Sequence, residues 1–288
     1  ATLSADGGTN DLTIAIRSED ATAATAEQLN AIDAATSLAV DATAVTDLSG
    51  SYSDLVTLYG SSGVTGLDNE NITITGGSLT VTQANAIDLL TTGVVTASIV
   101  TTETVDSLKT LTGTNNAYTI VISETSASAS DLNAINGLTT ATVDLTNVTS
   151  VTSSALSDLD TLANAINANP DQFINATNLT TSAVSDSEID ITSSEAIIDT
   201  LDEIDAGSID MTLASGATIN VDASEVTAML ADESAGRLTI DDQVITVTGA
   251  ITVDNANLLG ATTTGKVTAT IATTETVAEL ATLSADGG

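Results

Sequence analysis

Carboxylates are the only abundant reactive groups in this chain. Of its 288 residues, 39 are Asp or Glu and 4 are Lys or Arg, with no His and no Cys, for a formal net charge of −35. Oxygen donors of this kind suit a hard cation, and calcium above all. Asp6, Asn10 and Asp11, set around Gly7 and Gly8, are the candidate metal ligands. The other reading of the same residues is a Gly-rich turn with Asp11 exposed. The densest acidic run is Asp199, Asp202, Glu203 and Asp205. Ile198, Leu201 and Ile204 recur beside it at helical spacing, which makes the acids the solvated face of a helix. Asp241 and Asp242 follow a strand and mark its end. No cofactor is required, and calcium is the one ion with a case in the composition.

The missing residue types exclude more than the present ones support. Without His or Cys there is no zinc site of the usual kind, no disulfide, and no His- or Cys-based catalysis. Four basic residues cannot neutralise a phosphate backbone, so nucleic acid is not a partner. Clustered Asp side chains could in principle hydrolyse polysaccharides. Such sites also need aromatic platforms, and Tyr52, Tyr59, Tyr118 and Phe173 are all the aromatics there are. The chain therefore reads as non-enzymatic. No apolar run reaches 18 residues, so no membrane span is expected, and residues 1–8 lack the basic start and apolar stretch of a secretory signal.

Apolar residues make up 42% of the chain and come from Ala, Val, Ile and Leu. That is too much for a disordered acidic tail, and the side chains are too small for a thick core. Repetition supplies the rest. Residues 1–8 and 281–288 are the same octapeptide, ATLSADGG, which predicts a tandem array of 280-residue units. Within the unit, VTASIVTTETVDSLKTL (95–111) is closely echoed by VTATIATTETVAELATL (267–283).

Ten short β-type segments start at Leu12, Leu38, Ile72, Val95, Tyr118, Ala141, Ile174, Ile209, Leu238 and Val267. Their first and third positions are all apolar, and Thr fills most of the second (Thr13, Thr73, Thr96, Thr119, Thr142, Thr239, Thr268). Alternation of this kind turns one set inward and Thr outward. Short helices should follow, opening at Thr82, Thr102, Ser153 and Thr274, with apolar residues such as Val105, Leu108 and Leu111 on one side. Such helices need a neighbour to exist. The expected fold is thus a right-handed parallel β-solenoid with a short α-helix in most rungs, about ten rungs per unit, and residues 1–288 as one elongated segment. A Rossmann-like α/β domain is the competing architecture. An ice-binding Thr face is a remote reading, because Asp41, Val121, Asp144 and Asp241 interrupt the outward positions.

One stretch goes further. Leu29, Ile32, Asp33 and Thr36, then Val40-Asp41-Ala42, then Val45, Thr46, Leu48 and Gly50, then Tyr59, Gly63, Val64, Gly66, Leu67, Asn69 and Glu70 follow a set cadence. With it, residues 25–74 resemble repeats in giant surface proteins of marine picocyanobacteria and other marine bacteria. Residues 6–12 are similar to the Gly-Gly-x-Gly-x-Asp-x-Leu calcium turn of secreted repeat proteins, one residue short and without the third Gly. The resemblance implies a very long secreted cell-surface protein, often calcium-associated. On it rests the expectation of an extracellular filament, stalk or surface layer whose partners are copies of itself end to end. The alternative is a spacer in a calcium-associated adhesin.

The charge generates a first prediction. Two like charges one strand spacing apart repel by about 0.9 kcal/mol in water. At molar salt the Debye length falls to about 3 Å. The melting temperature should therefore rise from low salt to 0.5 M NaCl. Millimolar CaCl₂ should raise it beyond NaCl of matched ionic strength, with EGTA as control. An unchanged melting point throughout would show that the charges are too dispersed to matter.

Overall fold

The computed structural model describes residues 11–113, 115–168, 172–191, 198 and 210–284. It is an α/β fold whose strands form four sheets of three to seven strands, and every recorded pairing is parallel. Two compact units divide the chain. One takes the residues up to Ser123 with Ala134–Asp144; the other takes Glu124–Asn133 with those from Leu145 onward.

The expected solenoid, with ten strand starts on one continuous face, is not what forms. The starts are dispersed among separate sheets. Ile14 pairs with Val40, and Val40 with Val64, in a three-stranded sheet. Ile72 pairs instead with Leu48 on one side and Val95 on the other, in a second sheet. Met211 pairs with Leu238 in a third, and Val267 with Ile245 in a fourth. The physical reason is that the segments often carry two strands rather than one. Strands at Asp47–Gly50, Val64–Thr65, Ser150–Ser154 and Thr218–Asp222 have no place among the ten starts, yet they supply the neighbours. Alternation identifies which side chains face inward; it does not say which strand lies alongside. Local register still follows the apolar columns in places, as at Ile14↔Val40, Ile72↔Val95 and Val143↔Ile120. Elsewhere it slips by two residues, as at Ala97↔Tyr118.

The helices are short, and hydroxyl caps set where they begin. Thr80 caps Val81–Asp88 and Thr276 caps Val277–Leu280, each in a reciprocal capping box with Gln83 or Glu279. Thr104 caps Val105–Leu108. The expected openings at Thr82, Thr102 and Thr274 are each displaced by two residues. The hydroxyl that wins is the one immediately before the first buried apolar residue, because only it reaches the N–H three residues on.

In the first unit the core is built from Leu29, Leu48, Leu55, Leu58, Ile72, Ile87, Leu108 and Ile120, with Tyr118 fully enclosed. In the second it comprises Val151, Leu159, Leu162, Ile189, Ile219, Met229, Ile245 and Leu259. Among the described residues, no helix is long and apolar enough to cross a membrane.

One ion pair differs from the rest. Asp232, in the helix Val226–Ala235, is fully buried and contacts the Arg237 guanidinium. Gly236 ends that helix at φ 73°, in the left-handed region, and so turns Arg237 back over the last turn. The pairs Arg17–Asp20 and Lys109–Asp106 lie at the surface, where such contacts add little. Removing one partner of the buried pair strands a charge. Arg237→Met should therefore cost about 3–5 kcal/mol in urea unfolding, and adding Asp232→Asn should recover most of it. Equal stability of Arg237→Met and the parent would show that water reaches Asp232.

Candidate functional site

The most organised polar chemistry in the molecule lies between consecutive segments. It is built from a nine-residue module that recurs along the chain: NAIDAATSL (30–38), NAIDLLTTG (85–93), NAINGLTTA (133–141) and NLLGATTTG (257–265). Each opens with Asn on a helix and places Thr six residues later, just before a strand.

The asparagine reaches forward. Asn30, Asn85, Asn133 and Asn257 each donate through Nδ2 to a main-chain carbonyl 24 or 25 residues on. These are the carbonyls of Asp54, Thr110, Asp158 and Thr282, at 2.8–3.0 Å. In two cases Oδ1 also accepts from the main chain: the Thr112 N–H on Asn85 and the Ser284 N–H on Asn257, at 2.8 and 2.9 Å.

The threonine reaches backward. Thr36, Thr91, Thr139 and Thr263 donate their hydroxyls to the carbonyls of Leu12, Glu70, Tyr118 and Gln243, at 2.6–2.9 Å. The same oxygens accept the N–H two residues on, from Leu38, Gly93, Ala141 and Gly265. Thr91, Thr139 and Thr263 are buried, so these hydroxyls satisfy main-chain groups that water does not reach. Glycine follows where the chains are closest. A Cβ at Gly93 would lie 2.3 Å from the Glu70 carbonyl oxygen, and one at Gly265 2.2 Å from that of Gln243.

Carboxylates extend the clamp. Asp33 accepts from the Ser61 hydroxyl at 2.6 Å. Asp88 accepts from Thr112 Oγ1 at 2.8 Å and Asn116 Nδ2 at 2.7 Å, while Asn116 Oδ1 takes the Val95 N–H. Asn116 also donates to the Tyr118 hydroxyl at 3.0 Å. Burial pushes that phenol well above its ordinary pKa, and the Asp88 charge adds to the effect. Tyr59 behaves alike: burial raises it first, then the hydrogen bond it donates to the enclosed Glu70 at 2.8 Å. Several residues of the surface-repeat cadence thus have structural tasks. Tyr59 bonds Glu70, Asp33 takes Ser61, and Gly66 adopts φ 86° against Thr43.

The residues singled out for metal chemistry are not brought together. Asp6 and Asn10 lie outside the described residues, as does the acidic run Asp199, Asp202, Glu203 and Asp205. Asp11 accepts a hydrogen bond from the Ser37 hydroxyl. Asp242 holds a turn, taking the Ser215 hydroxyl at 2.6 Å and the Gly216 N–H at 3.0 Å, and these donors lower its pKa. Among the described residues, no group of three or more acidic side chains is arranged to hold a metal ion. The Asn–Thr module was not picked out by charge or by apolar columns. Its signal was the recurrence of Asn-Ala-Ile with Thr at a fixed distance. Compared with known protein families, curated proteins and solved structures, the chain matches none.

The two adjacent threonines of each module should behave very differently. Thr91 is buried and bonded on both sides, whereas Thr92 is exposed. Thr91→Val should cost about 1–3 kcal/mol, because it leaves a buried N–H and C=O unmet. Thr92→Val should stay within about 0.5 kcal/mol. Chemical denaturation of the two variants checks this, and equal losses would remove the clamp's special status.

Proposed function

We propose that this chain is a structural, non-catalytic segment of an extracellular or cell-surface protein, serving as a filament, stalk or surface layer in which copies follow one another end to end. The observation that carries this reading is the clamp itself. Its Asn and Thr side chains are committed to joining one segment to the next through main-chain groups, which every segment possesses whatever its side chains. A device that recognises the backbone can be repeated without limit.

Three features support it. The octapeptide shared by residues 1–8 and 281–288 fits a tandem array. The resemblance of residues 25–74 to surface repeats points to the cell exterior. The charge of −35 keeps crowded copies apart and soluble.

The test is immunogold electron microscopy of the source cells with antibody raised against the chain. Label should fall on surface fibres or a surface layer, and protease treatment of intact cells should remove it. Label confined to the cytoplasm would overturn the reading.

A further inference from the structure

The structure contains its own control for one surface. Residues 95–111 and 267–283 are identical at twelve of seventeen positions. Both form a strand followed by a four-residue helix capped by the matching threonine, Thr104 or Thr276. Both are held by the segment before them in the same way. Asn85 takes the Thr110 carbonyl and the Thr112 N–H; Asn257 takes the Thr282 carbonyl and the Ser284 N–H.

They differ on the other side. Val105, Leu108 and Leu111 are 8%, 1% and 4% exposed, whereas their counterparts Val277, Leu280 and Leu283 are 83%, 40% and 44% exposed. Val95–Ser98 is flanked by a following strand, Ala117–Val121, with Ala97 opposite Tyr118. Val267–Ile271 ends its sheet among the described residues, paired only with Val244–Ile251.

The first segment lacks cover in the complementary sense. Its strand Ile14–Ala15 also ends a sheet, paired only with Val40–Asp41. Leu12, Ile14 and Ile16 remain half-exposed. Beside them lies a cavity of ~530 Å³ lined by Ile16, Ala23, Ala24, Leu29 and Ile32.

We infer that the Val267–Leu283 surface is a docking face for the first segment of a second copy of this chain, with the strand around Leu12–Ile16 adding in parallel to Val267–Ile271 and covering Val277, Leu280 and Leu283. The inference rests on the structural reading above and gives it residues. The occupant follows from the internal pair: this sequence is covered by a parallel strand with an apolar first residue, Tyr118, and Leu12 holds that position in the first segment. By the register of Ala97 on Tyr118, Ala269 meets Leu12. The contact is heterologous, since each copy offers two different surfaces, and it therefore propagates rather than closing on itself. Because each copy carries −35, association strengthens with salt.

Sedimentation velocity across a concentration series of the 288-residue chain in 0.5 M NaCl tests this. An open series of oligomers is expected, shrinking at 20 mM NaCl. Val277→Asp/Leu280→Asp should weaken self-association at least tenfold with an unchanged melting temperature, as its residues are already exposed. Leu12→Asp should do the same from the other side. Mixing the two variants should restore dimers and nothing longer, because each retains one intact face. A chain that stays monomeric to millimolar concentration would overturn the inference. So would an associating parent whose Val277→Asp/Leu280→Asp variant associates equally well. Either result leaves the surface location, read by immunogold labelling, to stand or fall separately.

Discussion

Parallel strands joined through short helices leave a recurring problem at the point where a helix ends and the next strand begins. Main-chain N–H and C=O groups there are buried but belong to no ladder, and each one left unmet costs about 1–3 kcal/mol. In this chain a threonine hydroxyl resolves it, since one Oγ1 both donates to a carbonyl of the preceding segment and accepts an N–H of its own. Thr91 and Thr263 do so with Glu70–Gly93 and Gln243–Gly265. The rest of the architecture depends on that small group. It lets segments approach closely enough that only glycine fits at positions 93 and 265. The asparagine six residues earlier fixes the helices by the same logic, a side-chain amide standing in for a missing backbone partner.

The same constraint explains the composition. A core made by stacking short segments is thin, so Leu, Ile, Val and Ala fill it, and the few aromatics sit where a polar tip has a partner. Tyr118 meets Asn116, and Tyr59 meets Glu70. Thr is abundant because it serves as helix cap, outward strand residue and hydroxyl clamp. Charge is kept to the surface with few exceptions: Asp232 against Arg237, and Glu70, which accepts from Tyr59 and from the Asp68 N–H. Exposed carboxylates such as Asp41, Asp242 and Glu279 take local hydroxyl and amide donors that lower their pKa. A depressed folded-state pKa contributes stability above the ordinary carboxylate range and loses it as pH falls through the folded value.

Local features were legible in the sequence to the extent that they depend on nearest neighbours. Alternation placed Ile72, Val95, Ile120 and Val143 inside, and the apolar spacing found the helices at Val105–Leu108 and Leu156–Ala168. The sheet arrangement was not legible, because pairing is decided by which of two strands per segment lies alongside. Nothing in Val40 itself says that its neighbours are Ile14 and Val64 rather than Ile72. Counting carboxylates drew attention to Asp6, Asn10 and Asp11. The uncharged Asn85 and Thr91 carry the more developed polar geometry, and only their spacing from module to module betrays them.

Amide hydrogen exchange of Gly93, Ala141 and Gly265 tests the central claim most directly. Their N–H groups donate to Thr91, Thr139 and Thr263 rather than to another main-chain group. If the hydroxyl clamps join the segments, these three amides exchange as slowly as those of adjoining strand residues such as Ile72 and Ile245, and Thr91→Val accelerates Gly93 alone. Exchange of all three at the rate of an unstructured loop would contradict the account.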